Sequence, residues 1–217
     1  MIMQKADLTL YLVTDSTGKT EEDFLETVKQ ACEGGVTLVQ LREKEKSGLE
    51  YLNIAFKVKR ITDQYKIPLI IDDRVDIAMA TDAAGVHLGQ SDIPVRVARK
   101  LLGENKIVGA TAKTVAQALK VKEEGADYLG VGAIYPTTTK VVTVITEVST
   151  LNEIAVETNM PIVAIGGLNA SNIHVLYDSM ADGIAVVTAI MKSERPCETA
   201  KLLKRQVLEN FKRKVNK

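Results

Sequence analysis

The sequence has no surplus of charge and no long apolar run. Its 28 basic and 28 acidic residues cancel, so bulk charge does not draw the protein to nucleic acid or to a membrane surface. No apolar run approaches the roughly 20 residues that a membrane-spanning helix needs. The short apolar run at residues 8–13 lacks a cleavage-site pattern, so we expect a first strand there and not a signal peptide. We therefore expect a cytoplasmic protein without nucleic-acid or membrane partners, and the sequence leaves a homo-oligomer open.

Cysteine is also scarce. The two cysteines, Cys32 and Cys197, have no metal-type spacing. Cys32 falls on the apolar face of a predicted helix, which favours a reduced thiol in the core. We therefore do not expect a cysteine metal site.

Short apolar runs alternate with amphipathic stretches from one end of the sequence to the other. The runs predict strands at residues 8–14, 36–41, 67–71, 85–88, 106–110, 128–131, 162–165 and 183–187. The stretches predict helices at residues 21–33, 48–65, 74–81, 94–102, 114–124, 147–159, 170–178 and 196–213. Strands that are apolar on both faces and alternate with helices indicate a parallel sheet covered by helices.

Eight strand–helix units in 217 residues suit a compact (β/α)₈ TIM barrel. A doubly wound open sheet is the alternative, but it usually carries a glycine-rich fingerprint after its first strand. Residues 13–18 read VTDSTG and do not match that fingerprint. No linker interrupts the chain. We therefore predict a single barrel domain over residues 1–217, with its active site at the C-terminal ends of the strands.

The strand predicted at residues 36–41 runs into a polar segment. Gln40, Arg42 and Lys44 alternate there with other residues, so strand geometry points all three to one side. Arginine offers a planar fork and lysine a mobile charge for phosphate, which suits the mouth of a pocket for a polyanion. The alternative is a strand that runs out into a solvated loop, with nearby glutamates as partners.

Carboxylates follow the next two predicted strands. Asp72 and Asp73 are adjacent at a strand end, where we expect their side chains to point in different directions. Asp92 follows the neighbouring strand. Asp73 and Asp92 suit one shared Mg²⁺, because this ion often takes few protein carboxylates and completes its shell with water and phosphate oxygens.

Each of these polar residues also has a structural interpretation. Asp73 could instead pair with Arg74 or Arg42, and Asp92 could cap the helix that follows it. His87 lies within a predicted strand, where a buried histidine bonded to backbone is the expectation and a catalytic histidine is the alternative.

Three later loops suit phosphate groups. The loop after the sixth strand offers hydroxyls and a lysine, while glycines after the seventh strand and a helix start after the eighth offer convergent N–H groups. The residues concerned are Thr137, Thr139, Lys140, Gly167, Val187 and Thr188. Simple mobile or tight turns are the alternative. A cation-rich set for a diphosphate and a separate nest for a monophosphate best fit metal-assisted departure of diphosphate, with attack by a second phosphorylated substrate.

Seven segments of the chain resemble the thiamine-phosphate synthase family. In order, they read YLVTD, GGVTLVQLREK, PLIIDDRVDIA, GVHLGQSD, GADYLGVGAIYPTTTK, IVAIGGLN and ADGIAVVTAI. The resemblance implies a (β/α)₈ barrel and a Mg²⁺-dependent transferase of thiamine biosynthesis. In the implied reaction, hydroxymethylpyrimidine diphosphate ionises, and the nitrogen of a thiazole phosphate captures the resulting cation. The products are thiamine phosphate and pyrophosphate.

The resemblance also assigns residues by position. It places the pyrimidine diphosphate at Gln40, Leu41, Arg42, Glu43, Lys44, Asp72, Thr111 and Lys140. Arg42, Thr111 and Lys140 are the expected catalytic residues among them. Asp73 and Asp92 are the expected Mg²⁺ ligands. The thiazole phosphate is placed at Thr137, Thr138, Thr139, Gly167, Val187 and Thr188.

The chain departs from the family pattern at four places. The family usually has Asn at Asp72 and Ser at Thr111, and its serine–histidine pattern after the fifth strand here reads Thr111-Ala112-Lys113. The loop after Lys140 reads VVTVIT instead of a polar sequence, which bears on lid closure. Two alternative functions are a thiazole tautomerase and a non-catalytic sensor of phosphorylated thiamine precursors. The related tautomerases share the fold but have usually lost the Mg²⁺ and diphosphate residues, which this chain keeps.

Overall fold

Eight parallel strands form a closed barrel in the computed structural model, which describes residues 5–136 and 144–211. Strands β1 to β8 are Leu10–Val13, Leu38–Leu41, Leu69–Asp72, Gly85–Leu88, Ile107–Ala112, Tyr128–Gly132, Ile162–Ile165 and Gly183–Val186. Helices α1 to α8 are Glu21–Glu33, Gly48–Gln64, Val75–Ala80, Val95–Leu102, Val115–Glu123, Val148–Thr158, Thr188–Met191 and Pro196–Asn210. Consecutive strands pair in parallel and β8 returns to β1. This closure confirms the predicted (β/α)₈ barrel over the open sheet.

One predicted helix is wrong. Residues 170–178 form only a short 3₁₀ turn, Ile173–Leu176. The Asn169 side chain accepts a hydrogen bond from Ser171 N at 2.9 Å, and the Asn172 side chain accepts one from Asn169 N at 2.8 Å. Such local bonds from asparagine side chains compete with the helical ladder, so the helix does not start where its pattern suggested.

Side chains cap the first long helices. Thr20 accepts from Asp23 N at 3.1 Å and begins α1, and Ser47 begins α2 with a capping box completed by Glu50. The N-cap residue of α4 is Pro94, which provides no side-chain hydrogen bond. Asp92 instead accepts a hydrogen bond from Gly89 N, so the alternative that Asp92 caps α4 is wrong. No helix in the described part of the chain is long and apolar enough to cross a membrane.

The barrel has an inner and an outer core, because alternate strand residues face opposite sides. Outward-facing residues pack against the helices, and the unbridged Cys32 is buried there as expected. The inner core contains Leu8, Tyr11, Val13, Leu38, Ile70, Ile107, Tyr128, Val163 and Ala185. This inner core packs side chains into the interior of the barrel, as is usual for the fold.

Candidate functional site

A cavity of about 490 Å³ opens at the C-terminal ends of the strands. All eight strands, or the segments that follow them, contribute to its walls. Closure of the barrel brings together these predicted residues as lining groups: Gln40, Arg42, Lys44, Asp72, Asp73, Asp92, Thr111, Gly167, Val187 and Thr188. Both predicted phosphate regions and the predicted metal ligands therefore share one cavity.

Leu41 and Glu43 alternate with the lining residues of β2 and point away from the cavity. Leu41 is fully buried in the outer core. Ser16 Oγ donates to Glu43 Oε2 at 2.7 Å, while Oε1 is buried without a hydrogen-bond partner among the described residues. Burial raises the pKa of the Glu43 carboxyl. These two side chains support the loop and do not line the cavity.

The loop after β6 carries four further predicted residues. Thr137, Thr138, Thr139 and Lys140 lie outside the described residues, together with residues 141–143. The assignments of this loop to the diphosphate and the thiazole phosphate stay predictions.

Lys44 is the centre of a charged cluster on one wall. Its Nζ lies 2.7 Å from Asp72 Oδ2 and also contacts Asp73 Oδ2. Arg42 Nε lies 3.9 Å from the same Asp72 oxygen. Burial acts to lower the pKa of Lys44, but the two carboxylates outweigh it and the pKa is raised.

Asp72 and Asp73 do not diverge as the sequence suggested, because both reach the ammonium of Lys44. Asp73 has a φ of 59°, so it leaves the extended conformation whose alternation we had assumed. Nor does Asp73 pair with Arg74, which binds Asp76 instead. Burial and the neighbouring Asp73 raise the pKa of Asp72, against the opposing effect of the two cations.

Asp73 and Asp92 form a carboxyl pair at the rim. Their side chains lie within hydrogen-bonding reach, and Asp92 Oδ2 also accepts from Gly89 N at 2.6 Å. Burial and Asp73 raise the pKa of Asp92, although the Gly89 bond acts to lower it. Two carboxylates held this close repel each other, and a hard cation would relieve the repulsion. Among the described residues, no group of three or more His, Cys, Asp or Glu gathers as a metal site, so such a cation would need further oxygen ligands.

The floor of the cavity carries His87, for which the sequence left a catalytic role as the alternative to a structural one. His87 is buried, but its Nδ1 lies 3.0 Å from Tyr128 Oη and its Nε2 3.0 Å from Thr111 Oγ1. The expectation of a histidine bonded to backbone is therefore wrong, since both ring nitrogens face side-chain hydroxyls. Tyr11 and Gln40 continue the same set of hydrogen bonds. The signal in the sequence was a polar residue at an inward-facing strand position.

Lys113 and Gln90 are further polar lining residues that the sequence reasoning missed. Lys113 lies two residues beyond Thr111 and faces the cavity, in the same alternation that places Arg42 and Lys44. Gln90 Nε2 donates to the Thr111 carbonyl oxygen at 2.6 Å. Period-two spacing beyond the end of β5 would have found Lys113.

The opposite wall is less charged. Gly166 and Gly167 follow β7 with φ values of 107° and 64°, and Asn172 Nδ2 donates to the Gly167 carbonyl oxygen at 2.9 Å. Val187 and Thr188 lie where β8 passes into α7. This wall therefore presents backbone and one hydroxyl, in contrast to the ion-pair cluster on the other side.

Known proteins resemble the chain along most of its length. A family model described as thiamine monophosphate synthase matches residues 10–190. The thiamine-phosphate synthase of Methanobrevibacter smithii is 47% identical over 212 residues, which cover 98% of this chain and 99% of that protein. Thiamine-phosphate synthase 2 of Streptococcus pneumoniae is 52% identical over 192 residues, covering 88% of this chain and 91% of that protein. A solved structure of thiamine phosphate pyrophosphorylase from Pyrococcus furiosus has a TM-score of 0.87 at 36% identity, over 95% of this chain and 98% of that one.

Proposed function

The chain belongs to the thiamine monophosphate synthase family, and we propose how its cavity carries out that reaction. It is a transferase of thiamine biosynthesis that joins hydroxymethylpyrimidine diphosphate to a thiazole phosphate. The products are thiamine phosphate and pyrophosphate. The relatives named above are synthases, which favours this activity over the tautomerase and the sensor.

The observation that carries the mechanism is the cluster around Lys44. Arg42 and Lys44 line one wall of the cavity. Among the described residues, Arg42 pairs with Asp72, and Lys44 pairs with Asp72 and Asp73. A diphosphate offers more negative charge than these carboxylates and accepts several hydrogen bonds from Arg and Lys. In this proposal the diphosphate takes over both cations, and Lys140 joins them.

Asp73 and Asp92 fit a divalent cation, because both line the cavity and interact with each other, and their mutual repulsion favours one. They would hold Mg²⁺ beside Lys44. When bound, Mg²⁺ supplies positive charge that stabilises a departing diphosphate. The remaining ligands would come from water and from the diphosphate itself.

The opposite wall is proposed to hold the thiazole phosphate. Gly167, Val187 and Thr188 line it, and the end of a barrel after β7 and β8 is a frequent place for a phosphate. The threonines at residues 137–139 are proposed to add hydroxyl donors. Phosphates at both walls place the two organic rings between them.

The bond-forming step needs no nucleophile from the protein. The carbon–oxygen bond to the diphosphate breaks, and its electron pair leaves with pyrophosphate. The lone pair of the thiazole nitrogen then forms the new carbon–nitrogen bond. Arg42 and Lys44 hold the charge that develops on the leaving group, and Thr111 donates a hydrogen bond to it.

An endpoint assay tests the synthase and its metal dependence together. Protein, both substrates and Mg²⁺ are incubated, and thiamine phosphate is oxidised to its fluorescent thiochrome, with EDTA as the metal-free arm. We expect fluorescence only with Mg²⁺, and a loss of roughly a hundredfold in Asp73→Asn and Asp92→Asn. Asp76→Asn is the matched control, because Asp76 is exposed and paired with Arg74 outside the cavity.

A second measurement follows the metal without turnover. Mg²⁺ at about 100 times its Kd should raise the Tm of the unmodified protein by roughly 5 °C, and this rise should vanish in Asp92→Asn. Full activity in either carboxylate variant, or an equal rise in Tm, would remove the Mg²⁺ assignment.

A further inference from the structure

We propose that a buried line of hydrogen bonds under the cavity turns the Thr111 hydroxyl into a donor toward the ligand, with Tyr128 as the positioning residue. The inference rests on the proposed function, because it specifies what Thr111 does at the diphosphate. Tyr128 is fully buried and does not line the cavity. It can therefore act only through its neighbours.

Five side chains form the line. Gln40 Nε2 donates to Tyr11 Oη at 2.8 Å, and Tyr11 Oη lies 2.8 Å from Tyr128 Oη. Tyr128 Oη lies 3.0 Å from His87 Nδ1, and His87 Nε2 lies 3.0 Å from Thr111 Oγ1. All four distances are those of ordinary hydrogen bonds. The line therefore runs unbroken from β2 to β5 across the barrel.

One end of the line sets its direction. An amide nitrogen can only donate, so Tyr11 accepts from Gln40. Either phenol could donate in the Tyr11–Tyr128 contact, and in the proposed direction Tyr11 sends its hydrogen to Tyr128. Tyr128 has a single hydrogen and directs it to His87 Nδ1.

The histidine passes the direction on. His87 Nδ1 is then an acceptor, so a neutral imidazole carries its hydrogen on Nε2 and donates it to Thr111 Oγ1. The Thr111 oxygen accepts that bond, which leaves its own hydrogen for a partner in the cavity. A diphosphate oxygen, which only accepts, matches such a donor.

The surroundings keep the line neutral and in place. Burial raises the pKa of both Tyr11 and Tyr128, so neither phenol ionises at neutral pH. A Cβ at Gly109 would overlap the Tyr128 ring, and one at Gly130 would lie 3.2 Å from His87 Cε1. The two glycines thus give the aromatic rings the room to meet.

The reverse direction needs a different protonation of His87. If the Gln40 carbonyl oxygen faced Tyr11, every donor in the line would turn round, and the hydrogen would sit on His87 Nδ1. Thr111 would then donate to the imidazole and present only an acceptor to the cavity. The tautomer of His87 therefore decides the inference.

The tautomer can be read by NMR of the ¹⁵N-labelled full chain without substrate. The chain has only two histidines, His87 and His174, and His174→Gln assigns the signals because His174 is exposed. We expect a protonated Nε2 and an unprotonated Nδ1 for His87 at neutral pH. Protonation on Nδ1, or an equal mixture of the two tautomers, overturns the proposal.

Two tyrosine variants separate the positioning role from packing. Tyr128→Phe removes the donor to Nδ1, so we expect the single tautomer to be lost and kcat to fall roughly tenfold. Tyr11→Phe removes the hydroxyl that passes the direction from Gln40 to Tyr128, so the single tautomer should be lost there too, although the Tyr128–His87 contact remains. An unchanged tautomer in a folded Tyr128→Phe protein overturns the proposal.

Variants of Thr111 test whether its hydroxyl contributes to turnover. Thr111→Ser keeps the hydroxyl and should retain kcat within about threefold, while the nearly isosteric Thr111→Val should lower kcat roughly tenfold. Equal activity of these two variants contradicts a donor role. The NMR measurement needs no turnover, so absence of thiamine phosphate synthesis with the expected tautomer would count against the proposed function and not against the line.

Discussion

Lys44 Nζ and Asp72 Oδ2 lie 2.7 Å apart on the cavity wall, and the Asp72 side chain is only 9% exposed. Because of this ion pair, the positive charge that Lys44 and Arg42 offer to a diphosphate is already partly neutralised. A diphosphate must displace the carboxylate before it gains the full attraction of Lys44 and Arg42.

Removal of the Asp72 charge should tighten binding of diphosphate. In Asp72→Asn the amide still fills the same space, while Lys44 and Arg42 lose a competing anion. We expect the Kd of inorganic pyrophosphate, measured by calorimetry at fixed Mg²⁺, to fall roughly five- to tenfold. The control is Asp76→Asn, whose Kd should match that of the unmodified protein. Weaker binding in Asp72→Asn would mean that Asp72 orients the cations more than it competes for them.

Lys113 should contribute to the same anion site from the other side. It lines the cavity two residues beyond Thr111, so its ammonium adds to the local positive potential. Lys113→Ala should raise the Kd of inorganic pyrophosphate roughly three- to tenfold at low salt, with a smaller difference at high salt. Lys122→Ala, on the exposed side of α5, should leave the Kd unchanged. If both variants raised the Kd equally, Lys113 would act only through the net charge of the protein and not through a local contact with the anion.

Cys32 should resist alkylation in the folded protein. Burial and the nearby charge of Glu33 raise the pKa of its thiol to about 12, so at pH 8 only about one molecule in ten thousand carries the thiolate. Iodoacetamide should label Cys197 alone, as read by mass spectrometry. Cys197→Ser should stay unlabelled until denaturant is added, and rapid labelling of that variant in buffer would contradict the buried thiol.

Gly109 should be intolerant of a side chain. A Cβ at this position would overlap the Tyr128 ring and hydroxyl, so Gly109→Ala should lower the free energy of unfolding by roughly 2 kcal/mol in urea titrations. The control is Gly48→Ala, where the nearest atom to the new Cβ is 3.6 Å away at Arg74. Since Gly48 starts α2, that variant should be neutral or slightly more stable. Equal stability of the two alanine variants would show that the residues around Gly109 can move to accommodate the added methyl group.

Local periodicity explains what could be predicted. The alternation of apolar runs and amphipathic stretches is a property of neighbouring residues, and it predicted the barrel and the position of every strand to within a few residues. The same two-residue period placed Gln40, Arg42 and Lys44 on one side. It failed at residues 170–178, because asparagine side chains there bond the backbone in place of a helical turn.

By itself, then, the sequence determined the barrel, the family and the strand ends at which charged residues gather. Only the tertiary structure decided which of these residues touch. Asp72 and Asp73 meet on Lys44 because a positive φ redirects Asp73, which no pattern of residue types records. Tyr11 and Tyr128 are 117 positions apart in the chain and become hydrogen-bond partners only inside the closed barrel. Such contacts depend on the curvature of the whole sheet and on space left by glycines in other strands, so they are decided when the barrel closes.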